Sequence, residues 1–245
     1  MQVGLILIGD ELLSGLRQDK HIPHVRSLLQ ERGLTISWVR MVSDDMTLLV
    51  QTFKETFHSD DVVFSFGGIG ATPDDLTRQA AAEATGHKLH RHPRAVKLLE
   101  QKFGQEAYPN RILMSELPEG ATLLPNPINQ IPGFKLNHHH FVPGFPNMAW
   151  PMVEFALDTY YQHLFDTSPL IERRWLLRQV MESELIPMMQ ELLQLHPSVR
   201  LSSLPSTAER QTIDFGLKGK IADLKSASDW FEQRMQQEDK NIQRL

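Results

Sequence analysis

The apolar positions of the first two thirds of the chain follow two recurring patterns. Val3-Gly4-Leu5-Ile6-Leu7-Ile8 and Val62-Val63-Phe64-Ser65-Phe66 are short and unbroken, as in central strands buried on both faces. Leu34 to Val42 alternates like a strand, and Thr122-Leu123-Leu124 and Phe141-Val142 are shorter strand candidates. Between them apolar residues recur at helical spacing. Ile22, Val25, Leu28 and Leu29 form one such set, closed by Gly33. Leu48, Leu49, Phe53 and Phe57 form another, started by Ser43-Asp44-Asp45. Leu76 to Ala84 gives a third, ended by Gly86. Further helices are predicted from Pro93 to Phe103 and from near Pro151 to Tyr161. Strand and helix in alternation predict an α/β fold, three layers (α/β/α) around a mostly parallel sheet, over residues 1–165.

Asp166-Thr167-Ser168-Pro169 reads as a linker, and the elements shorten beyond it. Arg174 to Val180, Val199 to Leu204 and Thr212 to Leu217 read as strands. One helix is capped by Ser183 and another runs from Ile221 to Arg234. This β-α-β-β-α order predicts a small α+β domain over 170–245, with a frayed polar tail from Gln236.

The strand at Val62–Phe66 runs directly into Gly67-Gly68-Ile69-Gly70-Ala71-Thr72-Pro73-Asp74-Asp75. Thr72 is an N-cap candidate with Pro73 at the first helical position and Asp75 three residues past the cap. A glycine turn at a helix N-terminus favours phosphate, whereas Asp74 and Asp75 repel it. A divalent cation bridging carboxylate and phosphate oxygens reconciles the two, so the turn points to a metal-assisted phosphate or diphosphate site. A plainer reading stands beside it: Asp75 closes a capping-box variant with Thr72, and Asp74 complements the helix dipole. The turn lacks the Gly-Lys-Ser/Thr of a P-loop and the glycine spacing of a dinucleotide fingerprint.

Other strand ends carry chemistry as well. Gly9, Asp10 and Glu11 follow the first strand, where open α/β sheets bind ligands, and Ser14 adds a hydroxyl. Asn126, held between Pro125 and Pro127, suits a base or ribose edge. Gly144, after Val142-Pro143, would let the backbone approach a ligand.

Composition narrows the field. Hydrophobic residues make up 41% of the 245, and the formal charge is -5 with no basic cluster, so nucleic acid is disfavoured as a partner. There is no cysteine, hence no thiolate metal site or Cys nucleophile. The first apolar run is too short for a membrane span or a signal peptide, so a cytoplasmic protein without membrane contact is expected. His21 and His24 read as a solvated pair, and His87, His90 and His92 as surface residues. His138, His139 and His140 are adjacent on an extended chain and cannot all ligate one metal.

Four motifs occur in order: Gly9-Asp10-Glu11-Leu12-Leu13-Ser14-Gly15, Gly67-Gly68-Ile69-Gly70-Ala71-Thr72-Pro73-Asp74-Asp75-Leu76-Thr77, Pro125-Asn126-Pro127 with Pro132-Gly133, and Val142-Pro143-Gly144-Phe145-Pro146. Together they resemble the molybdopterin-binding domain of the competence/damage-inducible protein A family, over residues 1 to about 165. The resemblance implies a metal-dependent nucleotide pyrophosphatase acting on ADP-ribose. In that reading Gly67, Gly68, Gly70 and Thr72 cradle the diphosphate, and Asp75, Asp44 and Asp10 hold Mg²⁺ or a similar ion. Asp44 enters by likeness to related molybdopterin adenylyltransferases, with ordinary helix-capping at Asp44 or Asp45 standing beside it. The domain's name implies a second reading, molybdopterin binding or adenylyl transfer, and a non-catalytic nucleotide-binding module is a third. Longer family members carry a further C-terminal amidohydrolase domain, so a short form without it is expected. Homodimers are expected from the family and from their general frequency. The chain departs from the family at Asp19-Lys20-His21, where Asp-x-Asn is usual, and at Ala71, where Pro is common.

Overall fold

The computed structural model describes residues 1–166, 168, 170–206, 209 and 211–245. They form two compact units, Met1–Phe165 and Asp166–Leu245. Of the expected linker, Thr167 and Pro169 lie outside the described residues.

The first unit runs β1 (Val3–Ile8), α1 (Asp10–Leu13), α2 (His21–Glu31), β2 (Ile36–Val42), α3 (Met46–Phe57), β3 (Val62–Phe66), α4 (Thr77–Thr85), β4 (Leu89–Arg91) and α5 (Pro93–Phe103). It continues with β5 (Glu116–Pro118), β6 (Thr122–Leu124), β7 (Gly133–Leu136), β8 (His139–Val142) and α6 (Pro146–Tyr160). Six strands form one sheet in the order β2-β1-β3-β8-β7-β6, while β4 and β5 pair separately. Strands β2, β1, β3 and β8 are mutually parallel, and β7 runs antiparallel to β8 and β6. Four parallel strands flanked by helices give the expected mostly parallel α/β sheet. The unbroken apolar runs account for its centre: every residue of β1 and β3 is buried. One face packs Leu5, Leu7, Phe64 and Phe66 under α2 and α6, and the other packs Ile6, Val63 and Phe141 under α3 and α4. Gly4 stands within β1 because the Trp38 indole lies where a Cβ would stand.

Three boundaries differ from expectation for identifiable reasons. Helix α4 begins at Thr77 rather than Pro73, because residues 72–75 close a turn of their own, with Asp75 N–H donating to the Thr72 carbonyl at 3.0 Å. Helix α6 begins at Pro146 and carries Pro151 within its second turn, where proline lacks the N–H that would bond the Asn147 carbonyl. Strand β7 occupies Gly133–Leu136, where the sequence marks only the Pro132-Gly133 motif and no strand is expected. Its Gly133 passes so close to Phe141 that an added Cβ would lie 2.3 Å from the Phe141 carbonyl.

The second unit is β9 (Ile171–Arg178), α7 (Glu182–Leu195), β10 (Arg200–Pro205), β11 (Thr212–Gly219), α8 (Ile221–Gln237) and β12 (Asn241–Arg244). Its antiparallel sheet has the order β10-β11-β9-β12, the β-α-β-β-α-β arrangement of ferredoxin-like domains. Trp175, Leu177, Phe215, Leu217 and Phe231 are fully buried between the sheet and its two helices. Ser183 does not cap α7, which starts at Glu182 without a side-chain cap. The expected frayed tail is instead the edge strand β12, pairing with β9 from Asn241 to Arg244. Its sequence, Asn-Ile-Gln-Arg, turns only Ile242 toward the core, too little apolar pattern to announce a strand.

Candidate functional site

Strands β1, β3 and β8 end side by side, and their following loops are laced together. Gly9 N–H donates to the Val42 carbonyl at 3.1 Å, and Gly67 N–H to the Val142 carbonyl at 3.0 Å. The loop after β6 reaches the same rim. Together they enclose a cleft of about 460 Å³ with an apolar floor of Ile8, Ile69, Met114, Ile131 and Met148. Phe145 stands at its lip, and Glu11, Asp44, Asp74 and Asp75 make one wall acidic.

The glycine turn owes its shape to specific contacts. Gly67 has φ 106° and Gly68 φ 67°, conformations that L side chains rarely adopt. A Cβ on Gly67 would lie 2.5 Å from the Ile8 carbonyl, and one on Gly68 would lie 2.3 Å from Thr77 Oγ1. Thr77, fully buried, fastens the turn from below. Its hydroxyl donates to the Gly67 carbonyl at 2.9 Å and its N–H to the Gly68 carbonyl at 3.0 Å. The first N–H of α4 is therefore spent on the turn itself. Arg78, also buried, donates to the Gly70 carbonyl at 2.8 Å and to the Leu113 and Glu116 carbonyls. It ties the glycine turn to the segment carrying Met114. Burial holds its guanidinium below its ordinary pKa, against the fields of Asp75 and Glu116.

Asp75 serves the loop as well. Its Oδ2 accepts from Thr72 N–H at 2.8 Å and from Thr72 Oγ1 at 2.5 Å, one half of the expected capping box, set in a turn ahead of the helix. The carboxylate packs against Gly70, leaving no room there for a side chain. Asp44 is different. Asp45 caps α3 by accepting from Leu48 N–H at 2.9 Å, which leaves Asp44 to face the cleft. Asp44 Oδ2 accepts from Asp10 N–H at 3.1 Å and Asp10 Oδ1 from Asp44 N–H at 3.3 Å. Burial raises the Asp44 pKa, and Asp10, Glu11 and Asp74 push it in the same direction, against the Asp10 N–H contact.

Of the residues expected at the site, Gly9, Glu11, Asp44, Gly67, Gly68, Gly70, Thr72, Asp74, Asp75, Asn126 and Gly144 line the cleft. Asp10 exchanges hydrogen bonds with Asp44 but, like exposed Ser14 and Pro127, does not line the cleft. Asn126 is buried, and its Oδ1 accepts from the N–H groups of Ile128 and Asn129 within its own loop. Only its amide nitrogen remains for a ligand. Among the described residues no three His, Asp or Glu side chains are arranged to hold a metal ion. A divalent ion drawn to Asp44 and its neighbours would therefore take much of its coordination from ligand oxygens and water, a mode suited to Mg²⁺.

Sequence reasoning missed Thr77, Arg78, Arg17, Asn129 and Met148. Thr77 stands within the glycine motif, and its hydroxyl was the available signal. The others reach the site only through tertiary placement. His21 is a correction. It is 5% exposed rather than solvated, its ring 4.3 Å from that of Phe66, and its Nε2 donates to the Gly144 carbonyl at 3.2 Å. Burial lowers its pKa. His24 stacks on Trp150 at 3.9 Å.

Comparison with known proteins agrees with this architecture. A protein of Pyrobaculum calidifontis is 29% identical over 212 residues, covering 84% of this chain and 81% of that protein. A CinA-like protein of Citrifermentans bemidjiense is 35% identical over 161 residues, 63% of this chain but only 39% of its own length. The crystal structure of the protein CinA from Thermoplasma acidophilum superposes with a TM-score of 0.59 at 24% identity, over 64% of this chain and 98% of that one. The family described as probable molybdopterin binding domain matches residues 4–163, and the chain belongs to it.

Proposed function

We propose that the cleft binds a small phosphorylated molecule with a flat ring system, of the molybdopterin or nucleotide kind. The observation that carries this reading is the meeting of five strand-end loops, those after β1, β2, β3, β6 and β8, around one cleft of about 460 Å³ with an apolar floor and a polar wall. Ile8, Ile69, Ile131 and Met148 offer a ring a surface that excludes water. Gly67, Gly68 and Gly70 bring main chain close to the ligand without side chains in the way. Asn126 and Asn129 supply amides at the rim. The family's description favours a pterin, and bound molybdopterin is the ligand we expect.

A second reading, metal-dependent hydrolysis of a nucleotide diphosphate such as ADP-ribose, is favoured by the crowding of carboxylates at Asp44. A cation held there by Asp44 with Asp10 or Glu11 would neutralise that crowding and polarise phosphate oxygens. Asp75, its Oδ2 taken by Thr72, would act by shaping the turn.

One experiment separates the readings. The protein is incubated with ADP-ribose and each of Mg²⁺, Mn²⁺ and Co²⁺, AMP release is followed, and binding of a phosphorylated pterin is measured by calorimetry. Tight pterin binding with intact ADP-ribose is the expected result. Metal-dependent AMP release that Asp44→Asn abolishes would establish hydrolysis instead, and neither result from folded protein would sink both.

A further inference from the structure

Beside the acidic cleft lies a second recess of about 410 Å³, which shares Ile8, Glu11, Arg17, Gly144 and Phe145 with it. Its lining is mixed in charge, two cations and two carboxylates (Glu11 and Asp19). Arg17 and Lys20 line it, and neither side chain forms an ion pair among the described residues. The two carboxylates of the recess are held by other contacts and do not pair with them. Asp19 is turned onto the start of α2, accepting from His21 N–H at 2.8 Å and Ile22 N–H at 3.0 Å. Glu11 is folded back against Gly9, where its Oε2 would lie 2.7 Å from an added Cβ, and it acts on Asp44. The loop carrying the cations is held in place by the Arg17 N–H, which donates to the Glu11 carbonyl at 2.9 Å.

The recess also holds a buried group without a partner. A carbonyl oxygen only accepts, so the His21 Nε2 beside Gly144 carries the proton. The other nitrogen, Nδ1, is buried and has no hydrogen-bond partner among the described residues. A ligand O–H, such as that of a protonated phosphate oxygen, would satisfy its lone pair. Meanwhile the glycine turn is poorly suited to an anion by itself. Thr77 N–H is already engaged with Gly68, and Glu11, Asp44, Asp74 and Asp75 surround the approach.

We propose that Arg17 and Lys20, with His21 at the back of the recess, form the subsite for a phosphate monoester, so that the ligand's anion binds here without a metal while its ring lies in the acidic cleft. The placement of the ring rests on the function proposed above; the anion subsite stands on the recess alone. Arginine supplies a planar donor fork and lysine a point charge, the pairing common in phosphate recognition. Asp44, Asp74 and Asp75 line only the first cleft, and this sets orientation: a ligand entering phosphate-first toward Asp74 and Asp75 is repelled.

The test uses inorganic phosphate as the probe, with EDTA present, and follows backbone amide resonances. Phosphate is expected to shift residues 17–22 saturably, while chloride at equal ionic strength does not. Arg17→Ala or Lys20→Ala should weaken phosphate about tenfold each, the loss of one charge-assisted hydrogen bond, and Arg17→Lys should recover part of it. Both side chains are exposed, so unchanged thermal melting would show that the variants fold. Shifts centred on Gly67–Gly70 and indifferent to both substitutions would overturn the proposal. So would binding that appears only when Mg²⁺ replaces EDTA. An unphosphorylated pterin is titrated in parallel. Its failure to bind, with phosphate behaving as expected, would sink the ring-binding function and leave the anion subsite standing.

Discussion

The two ends of the parallel sheet treat titratable groups in opposite ways. At the end where β1, β3 and β8 finish, carboxylates and cations face open clefts. At the other end, where β8 begins, imidazoles are buried. His139 donates from Nε2 to Thr56 Oγ1 at 2.9 Å, because the single hydroxyl proton of Thr56 already goes to the Thr52 carbonyl at 3.0 Å. His140 donates from Nδ1 to the Val63 carbonyl at 3.3 Å and accepts from Tyr161 Oη at 3.4 Å. Burial pushes both imidazoles down to about 3. The contrast separates function from stability: groups left chargeable at an open rim can meet ligands, whereas groups held neutral within the core can only be lost with the fold.

The largest expected effect follows from that buried pair. A base whose folded pKa is lowered gives nothing up above its unfolded value of 6.5. Below it the unfolded chain takes up the proton first, so stability falls as pH drops toward 3. Each imidazole contributes about 1.4 kcal/mol per pH unit in that window. Together they should remove about 4 kcal/mol between pH 7 and pH 5, and His21 acts in the same direction. Urea unfolding across this range measures it. His139→Asn should flatten the slope by about 1.4 kcal/mol per unit, whatever it does to stability at pH 7. An unchanged slope would mean that His139 is not held neutral.

A smaller effect is expected at the rim. Gly68→Ala puts a Cβ against the buried Thr77 hydroxyl at φ 67°, costing about 2–3 kcal/mol in strain and displacement. Unlike the histidine substitution, it should also abolish ligand binding, because the Thr77 contacts hold the turn. Calorimetry at a temperature where the variant remains folded checks this. Full binding by a folded variant would show that the turn tolerates a reshaped backbone.

The same contrast explains what could be read from the chain. Unbroken apolar runs such as Val62–Phe66 announced the buried strands, and glycine with turn residues announced the rim, because both signals are local. Gly86, in the left-handed conformation at the end of α4, was legible for that reason. Strand β12 was not, since an edge strand with one inward residue leaves almost no pattern. The start of α4 was misread because Thr72, Pro73 and Asp75 satisfy a turn as well as they satisfy a helix cap. Within the site, residues on motif loops were legible, whereas Arg78 and Arg17 were not. Their roles depend on which carbonyls and carboxylates the fold brings near them, and no spacing rule encodes that.

The smallest expected effect sharpens the comparison most, because it asks whether the rim carries unrelieved charge. A raised folded pKa at Asp44 means that the ionised carboxylate is disfavoured in the native state. The penalty is present above the unfolded value of 3.8 and disappears as pH falls below it, the reverse of a salt-bridged aspartate. Asp44→Asn should therefore stabilise the protein at pH 7. The group is partly solvated, so screening limits the gain to less than about 1 kcal/mol. Near pH 3 the advantage should vanish. Millimolar Mg²⁺ offers a further discrimination. If the crowded carboxylates attract a cation, Mg²⁺ raises the melting temperature of the wild type and not of Asp44→Asn, closing the gap between them. A gap that persists unchanged in Mg²⁺ would mean that the acidic wall repels anions without recruiting a metal, which would leave Arg17 and Lys20 as the cations available to a ligand's phosphate.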